Sequence, residues 1–387
     1  MAEIDVDELR EELLQCRRCG LCREAVYEAA GFDGICPVWR NTSGFETAFM
    51  RGKIMVALAL LEGRLDKTAE NGESLFQCTL CGNCTQICPA EFEPARTLEQ
   101  VRTVLGDISN PVRDRLADGI LKKDNPYDEE PSAKRRWIEE LEFEVPKTGE
   151  VLYYAGCTSA LRLPQVAIDA VRVLKGAGVN FAIMENEPCC GSVMLRTGRY
   201  EDAVENAREV AKRIASTGAK RVVVTCAGCY KTLKQDYAEM GIDMPEIVPM
   251  AEFAKELIAQ GKINLSRDTE QLVVTYHDPC HLGREMGVFD SPREVVESVP
   301  GVTLVEMETN REKAMCCGAG GGLRSFDGDL AKKIAADRVR DAYAVGAKTI
   351  VTACPFCEHN LAAGAKIADE NVEVVDIVNL LARSMKE

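Results

Sequence analysis

The fold is decided by the stretch Cys316-Cys317-Gly318-Ala319-Gly320-Gly321-Gly322, which lies at the centre of a five-cysteine pattern that the chain contains twice. Cys280 precedes this stretch, and a Cys-x-x-Cys pair, Cys354 and Cys357, follows it. The earlier copy has the same order of a lone cysteine, a Cys-Cys-Gly and a Cys-x-x-Cys, formed by Cys157, Cys189, Cys190, Cys226 and Cys229. The intervals nearly agree, since 31 residues in the first copy and 35 in the second separate the lone cysteine from the pair. The sequence therefore predicts two copies of a five-thiol site.

An internal duplication surrounds the two cysteine sets. The segment GAKRVVVTC at 218–226 aligns with GAKTIVTAC at 346–354, and both halves alternate short apolar strands with amphipathic helices. Strands are predicted at 151–155, 180–184, 221–225, 272–276, 304–307 and 349–352, and helices at 164–177, 200–217 and 330–345. Alternating strands and helices favour parallel sheets, with ligands at the carboxyl ends of the strands. We expect each copy to collect its thiols at one sheet edge.

The N-terminal part contains eight more cysteines in two ferredoxin-like runs. Cys16, Cys19 and Cys22 precede a distant Cys36-Pro37, whereas Cys78, Cys81, Cys84 and Cys88-Pro89 form the compact C-x2-C-x2-C-x3-C-P run of bacterial-type ferredoxins. In two-cluster ferredoxins the cysteine before proline ligates the other cluster. This rule assigns one [4Fe–4S] cluster to Cys16, Cys19, Cys22 and Cys88, and the other to Cys78, Cys81, Cys84 and Cys36. Zinc is the alternative, but zinc sites rarely combine three Cys-x-x-Cys steps with Cys-Pro.

Length and pattern together predict three folded units in the 387 residues. Helical periodicity at 1–15, 47–65 and 98–108 predicts an α-helical two-cluster ferredoxin domain at 1–109. A polar stretch with four prolines predicts a linker at 110–149. Two duplicated α/β domains with parallel sheets are expected at 150–270 and 271–387.

Charge and hydropathy restrict the partners and the location. The net charge of −15 disfavours nucleic acid, because no basic surface is available to neutralise phosphates. The acidic opening has no basic region, apolar core or cleavage site, and the longest apolar run, 54–61, is far shorter than the ~20 residues that span a bilayer. We therefore expect a cytoplasmic protein with no transmembrane segment, which reaches a membrane only through a partner.

Five thiols per site suggest an unusual cluster. A cubane cluster needs four thiolates, and two adjacent cysteines cannot easily reach separate corners of a small cube, so we hypothesise a distorted cluster with a bridging thiolate. Eight ferredoxin-type and ten paired-site cysteines account for all 18. Three alternatives stay open: a thioredoxin-like Cys-x-x-Cys, zinc at one five-cysteine site, and phosphate binding by the glycines of 318–322. Close approach of the backbone to a cluster explains those glycines better.

Polar candidates for substrate chemistry follow the motif cysteines. Three histidines lie within three positions of a motif cysteine, and His281, directly after Cys280, is the first candidate for proton delivery to departing thiolates. The others, His277 and His359, fit structural roles equally well. Four arginines follow motif cysteines by 4 to 7 residues and are candidates to meet an anionic substrate or to lie on the surface: Arg162, Arg196, Arg284 and Arg324.

The stretch His277-Asp278-Pro279-Cys280-His281-Leu282-Gly283-Arg284 and the glycine-rich stretch at 316–322 resemble the CCG-domain iron–sulfur proteins. In layout the chain is similar to the D subunits of the membrane-linked CoB–CoM heterodisulfide reductases of methanogenic archaea. The resemblance implies one noncubane [4Fe–4S] cluster on each five-cysteine set. It further implies a cavity between the clusters, where the CoM–S–S–CoB disulfide is cleaved reductively to two thiols.

Electrons must come from another chain, because no flavin or heme motif is present. The resemblance implies a membrane cytochrome b as the donor, and a flavoprotein is the alternative. A second function stays open: the chain is also similar to the electron-transfer iron–sulfur subunits of anaerobic glycerol-3-phosphate, lactate or glycolate dehydrogenases. Retention of both complete five-cysteine sets favours the disulfide reductase, because an electron-transfer subunit needs no second distorted cluster.

Overall fold

The computed structural model describes residues 4–24, 34–266 and 271–385. It consists of an N-terminal helical part followed by two α/β parts. This confirms the predicted fold class, whereas the domain boundary expected at residue 270 lies outside the described residues. Within the described ranges, no helix is both long and apolar enough to cross a membrane.

The N-terminal part is built from short helices around an apolar core that includes Leu13, Leu58 and Val101. The helix expected at 98–108 begins four residues earlier, because Pro94 occupies the first turn, where proline is favoured. The helix expected at 47–65 is a single 3-10 turn, Glu46–Ala48, followed by the α-helix Met50–Leu61. The α-helices of this part are Val6–Leu14, Leu21–Glu24, Pro37–Arg40, Met50–Leu61, Ala69–Phe76, Asn83–Ile87 and Pro94–Val104.

The segment 110–149, predicted to be a linker, contains ordered helices. Asn110 caps the helix Pro111–Lys123 by accepting a hydrogen bond of 3.1 Å from the backbone N–H of Arg113. Proline at the first helical position is favourable, so a residue that we interpreted as a breaker begins this helix instead. Ile120 of the helix is fully buried, and a short helix, Arg136–Glu139, follows.

Each α/β part contains one four-stranded parallel sheet. In the first sheet, β1 (Val151–Tyr154) and β3 (Arg221–Val224) are central, flanked by β2 (Phe181–Ile183) and β4 (Glu246–Pro249) in the order β2-β1-β3-β4. The second sheet has the equivalent order β6-β5-β7-β8, formed by β5 (Leu272–His277), β6 (Val302–Leu304), β7 (Thr349–Thr352) and β8 (Glu373–Asp376). The two sheets have the same strand order, as expected if the two halves of the sequence are duplicated copies.

One predicted strand is displaced and two were not predicted. The pairing of Leu272 with Val302 fixes the register of β6, so the strand lies at 302–304 instead of 304–307. The edge strands β4 and β8 have no motif cysteine at their carboxyl ends, which left them without a marker in the sequence.

Helices cover the two sheets and join the α/β parts. The helix after β4, Met250–Ala259, packs against Asp290–Glu297, whereas the C-terminal helix after β8, Ile377–Ser384, packs against Pro164–Gly176. This reciprocal packing relates the two parts by an approximate two-fold axis. The remaining helices are Gly156–Arg162, Ser192–Arg196, Tyr200–Ser216, Ala227–Lys231, Tyr237–Glu239, Leu323–Phe326, Gly328–Ala344 and Pro355–Ala368.

A buried arginine of the N-terminal part joins all three parts of the chain. The guanidinium of Arg102, which has no solvent exposure, donates to the carbonyl oxygens of Leu75 at 2.8 Å and Cys78 at 3.1 Å within its own part. It also donates to the carbonyl oxygens of Arg196 at 2.6 Å and Gly321 at 2.8 Å, one in each α/β part. The side chain thus satisfies four backbone acceptors that burial has removed from water.

The glycine-rich stretch forms the other side of this junction. A side chain at Gly321 would place its Cβ 2.3 Å from the carbonyl oxygen of Cys78, and one at Gly320 would lie 2.6 Å from that of Thr79. We expected these glycines to make room for a cluster. The structure shows a packing role for Gly320 and Gly321, because they allow the second α/β part to approach the backbone of the ferredoxin-type cysteine loop.

Arg284 adds a second connection to the same loop. Its guanidinium donates to the carbonyl oxygen of Cys81, to the side-chain oxygen of Asn83 at 2.7 Å, and to the carbonyl oxygen of Ala314 at 2.6 Å. The loop that carries Cys78, Cys81 and Cys84 is therefore held by arginines from both sides of the junction.

We predict that Arg102→Gln destabilises the whole assembly, since the shorter amide cannot reach four acceptors and leaves buried carbonyls unpaired. The expected loss is about 3 kcal/mol or more, measured as a lower Tm of the anaerobic protein. The control is Arg96→Gln on the same helix, because the Arg96 side chain is half exposed and forms surface ion pairs with Glu93 and Glu239. Equal Tm values for the two variants would contradict the role given to Arg102.

Candidate metal centres

The lone cysteines and the Cys-x-x-Cys pairs follow the carboxyl ends of the central strands, whereas the adjacent cysteine pairs come after the edge strands β2 and β6. Cys157 lies in the first turn of the helix after β1, and Cys226 is the residue before the helix after β3. Gly156, between β1 and Cys157, has a φ of 77°, and a Cβ there would lie 3.2 Å from the Cys229 sulfur. A side chain at this position would enter the thiol site.

The thiols of the first set lie close enough to bind one metal centre. The Sγ atoms of Cys157 and Cys189 are 3.9 Å apart, and those of Cys190 and Cys229 are 3.4 Å apart. Metal–sulfur bonds of ~2.3 Å at a tetrahedral angle put neighbouring ligand sulfurs ~3.8 Å apart. All 18 cysteines of the chain are free thiols, so the thiol chemistry fits metal binding and no disulfide competes for it.

In both sets the second cysteine of the adjacent pair favours the thiolate. A hydrogen bond with Cys189 lowers the pKa of the Cys190 thiol well below its ordinary value. A hydrogen bond with Cys316 does the same for the pKa of Cys317. The adjacent cysteine pairs of the two copies therefore have the same electrostatic asymmetry.

The two five-cysteine sets share one cavity of about 300 Å³. Cys226 of the first set lowers the pKa of Cys354 in the second set, and both cysteines line the cavity. The cavity is lined by every cysteine of the two sets except Cys316: Cys157, Cys189, Cys190, Cys226, Cys229, Cys280, Cys317, Cys354 and Cys357. The approximate two-fold axis therefore faces one site towards the other.

The ferredoxin-type cysteines line two small adjoining cavities. Cys16, Cys19, Cys22 and Cys88 line one, and Cys36, Cys78, Cys81 and Cys84 line the other. The two cavities share Cys22 and Cys84, and the crossed assignment of the cluster ligands stays a prediction. Buried Lys53 donates to the carbonyl oxygens of Thr47 at 2.8 Å and Ser74 at 2.7 Å. Burial raises the pKa of Cys36 and of Cys78, and the positive charge of Lys53 opposes this rise.

The group formed by Cys36, Cys78, Cys81 and Cys84, which we call the inner group, lies next to the second five-cysteine set; the group formed by Cys16, Cys19, Cys22 and Cys88 is the outer group. A hydrogen bond with Cys316, together with burial, raises the pKa of Cys81 well above its ordinary value. Cys316 likewise raises the pKa of Cys280 within its own set. At the opposite end, Cys19 is exposed to solvent. The cysteine groups thus run from the surface to the shared cavity.

The three predicted histidines occupy different environments. His281 lines the shared cavity and also a polar cavity of about 190 Å³ between the N-terminal and α/β parts. Burial, with the nearby charge of Arg196, lowers the pKa of His281 to about 3, so its imidazole is neutral at pH 7. His277 is buried, and its Nδ1 accepts a hydrogen bond of 3.4 Å from Arg338. One ligand atom each from His277, Cys317 and Cys357 lies within 4.8 Å of the others.

Of the four predicted arginines, two pair with carboxylates and one binds the ferredoxin-type loop. Arg196 pairs with the carboxylates of Glu99 and Asp236, and Arg162 pairs with Glu129 at 2.9 Å. Arg284 holds the ferredoxin-type loop, as described above.

The fourth, Arg324, lines the shared cavity. It donates to Asn360 Oδ1 and, at 3.0 Å, to His359 Nε2. Its two acceptors are thus uncharged side-chain atoms.

Several residues that shape the sites had no signal in the sequence. Asn206 donates to the carbonyl oxygen of Cys189 at 2.9 Å, Tyr237 to that of Cys190 at 3.0 Å, and Asn360 to that of Cys317 at 2.6 Å. These side chains hold the backbone of the adjacent cysteine pairs from helices far along the chain. No cysteine spacing could have indicated them.

Two family models match the chain. The Cysteine-rich domain model (CCG) matches residues 151–234 and 274–362, and the 4Fe-4S dicluster domain model matches residues 12–92. The second match implies two [4Fe–4S] clusters in the N-terminal part, and the CCG cysteine groups suggest further iron–sulfur sites.

Solved structures and sequence relatives add to this assignment. A hypothetical protein from Helicobacter pylori shares the fold, with a TM-score of 0.53 and 9% identity over 88% of this chain and 68% of that one. The EtfAB:quinone oxidoreductase of Syntrophomonas wolfei is 31% identical over 81% of this chain and 47% of its own length. The D subunit of the dihydromethanophenazine:CoB–CoM heterodisulfide reductase of Methanosarcina mazei is 34% identical over 97% of this chain and 94% of its own length.

Since this last similarity extends over almost the whole length of both chains and the dicluster domain precedes two CCG domains, the protein belongs to the family of CCG-domain iron–sulfur oxidoreductases that includes the D subunits of heterodisulfide reductase.

Proposed function

We propose that the chain is the catalytic subunit of a disulfide reductase that cleaves the CoM–S–S–CoB heterodisulfide to two thiols. The observation that carries the proposal is the shared cavity, which is lined by all five cysteines of the first set and by four of the second. A disulfide bond between the two sets would have one sulfur facing each of them. Holding the disulfide in this orientation lowers the entropic part of the activation barrier.

In this proposal each five-cysteine set holds a noncubane [4Fe–4S] cluster, and the ferredoxin-type cysteines hold two cubane clusters in the crossed arrangement. When bound, these clusters would supply electrons and Lewis-acidic iron atoms that can bind sulfur. The overall change is balanced by two electrons and two protons, which convert one disulfide into two thiols. Zinc at one five-cysteine site remains the competing occupant, and iron and zinc analysis of the purified protein distinguishes the two.

The chain's own contribution to catalysis is orientation and proton transfer. His281 lines both the shared cavity and the polar cavity next to it, so its ring separates the reacting space from a more polar one. A neutral imidazole relays a proton by accepting at one nitrogen and donating from the other. Lys231 and Asp236, which pair at 3.1 Å, line the polar cavity on the far side of His281.

The electron donor is proposed to dock at the N-terminal part. The exposed Cys19 marks the outer cysteine group, and the contact between Cys81 and Cys316 marks the inner end. A membrane cytochrome b or a flavoprotein bound near Cys19 would lie at the start of this series. The surface around Cys19 would determine which electron donor binds, and the cysteine spacing gives no information about that surface.

The alternative is an electron-transfer subunit that passes electrons to quinone, as in anaerobic glycerol-3-phosphate, lactate or glycolate dehydrogenases. Similarity to the quinone oxidoreductase of Syntrophomonas wolfei supports this possibility. The shared cavity between two complete cysteine sets favours the reductase, since electron transfer needs no such space.

The direct test is anaerobic assay of the iron-loaded protein with a reduced viologen dye and CoM–S–S–CoB. We expect two thiols per disulfide, and Cys190→Ser and Cys317→Ser should each lower this activity at least ~100-fold, because both sites act on the same bond. Cys19→Ser is the control, since it alters only the outer group and the dye can bypass it. Dye oxidation by a quinone analogue, with no thiols formed from the disulfide, would favour the electron-transfer subunit.

A second prediction concerns His281. Replacement by Gln keeps a polar side chain but removes the proton relay, so kcat should fall ~100-fold while KM changes little. Ser325→Ala, at an exposed residue of the cavity wall, serves as the control and should leave kcat nearly unchanged. A normal kcat in His281→Gln would exclude this histidine from proton transfer.

A further inference from the structure

Arg324 places a guanidinium in the shared cavity that has no carboxylate partner among the described residues. Of the four arginines that follow motif cysteines, Arg162 and Arg196 form ion pairs with carboxylates, and Arg284 is committed to the ferredoxin-type loop. Arg324 differs from all three, because it forms no ion pair within the described ranges of the chain. Its position follows directly from the glycine-rich stretch, two residues after Gly322.

The neighbours of Arg324 hold it in place without cancelling its charge. One terminal nitrogen donates to Asn360 Oδ1 and the other donates to His359 Nε2 at 3.0 Å. Asn360 is itself buried and anchored by donating to the carbonyl oxygens of Cys317 and Ala331. Two of the five guanidinium N–H donors are thus used for positioning, and three remain for a ligand.

The setting of Arg324 makes an unpaired charge unfavourable. Partial burial lowers the pKa of Arg324, yet a guanidinium remains charged at any physiological pH. The cavity wall around it is largely apolar, with Leu116, Val193 and Phe356 among the lining residues. A cation that is positioned by neutral side chains in an apolar cavity is best stabilised by an anion that enters with the ligand.

We propose that Arg324 is a specificity-determining residue that binds an acidic group of the substrate, a sulfonate, carboxylate or phosphate, while the apolar wall contacts the aliphatic segment between that group and the sulfur. That the sulfur belongs to a disulfide or its thiol product rests on the proposed function. The substrate class is therefore acid-bearing aliphatic disulfides, and uncharged disulfides of the same size bind weakly.

The test measures equilibrium binding to the iron-loaded full chain by anaerobic titration calorimetry. The probes are 2-mercaptoethanesulfonate and the uncharged 2-mercaptoethanol, with ethanesulfonate as a probe that has no thiol. In Arg324→Gln, binding of both sulfonates should weaken ~10- to 100-fold, as expected for loss of charge-assisted hydrogen bonds. Binding of 2-mercaptoethanol should change less than ~2-fold.

Arg162→Gln is the matched control, because Arg162 also follows a motif cysteine but is paired with Glu129. It should leave all three affinities unchanged. Arg324→Lys keeps the charge and loses the planar fork, so it should bind the sulfonates with intermediate affinity. If Arg324→Gln does not load iron, the Lys variant decides, and it supports the proposal only if it weakens the sulfonates selectively.

Two results would overturn the proposal. Equal weakening of charged and uncharged thiols would assign Arg324 to the architecture of the thiolate site, and unchanged sulfonate binding would place the anion elsewhere. These outcomes are separable from the proposed function. Selective sulfonate binding in a protein that reduces no disulfide would keep the role of Arg324 and reject the reductase, whereas disulfide reduction with no selectivity would do the reverse.

Discussion

The architecture depends on one buried guanidinium. Arg102 donates four hydrogen bonds to backbone carbonyls that belong to the ferredoxin-type loop, the first α/β part and the glycine-rich stretch of the second. Arginine suits this position because its planar fork carries five donors and its charge strengthens each bond. Burial lowers the pKa of Arg102 to about 10, which still leaves it charged at pH 7. The junction fixes the inner cysteine loop against the second five-cysteine set, and this placement is what any electron route to the cavity requires.

Duplication supplies the second constraint. Two copies of the same four-stranded sheet pack reciprocally through their flanking helices, and this symmetry turns the carboxyl ends of the central strands towards each other. One sheet alone would present a thiol site at an open edge. Two facing copies enclose a cavity, and Cys226 and Cys354 meet across it. The symmetry is broken by the N-terminal part, which contacts the second set through Cys316. It is broken also by Arg324, whose acceptors are uncharged, whereas Arg196 of the first α/β part lines the same cavity but pairs with Glu99 and Asp236.

Cysteine spacing made most of this predictable, because metal ligands must converge and therefore leave a fixed pattern in the chain. The central strands β1, β3, β5 and β7 were predicted from apolar runs that end at motif cysteines, and the edge strands β4 and β8, which end at none, were missed. The helix Pro111–Lys123 was hidden by its own first-turn proline. Arg102, Asn206 and Asn360 were not foreseeable, since they act on backbone carbonyls distant in sequence. The packing role of Gly321 was not foreseeable for the same reason, because its close neighbour is a carbonyl of another part of the chain.

The central claim is that substrate sulfur binds at the two facing five-cysteine sites, and low-temperature EPR of the oxidised, iron-loaded protein tests it most directly. The account predicts a new paramagnetic signal that appears only when 2-mercaptoethanesulfonate is added, broadens with sulfur-33-labelled thiol and is lost when a cysteine of either site is replaced. Signals of ordinary reduced cubane clusters alone, with no thiol-dependent species under any oxidising condition, would contradict the claim.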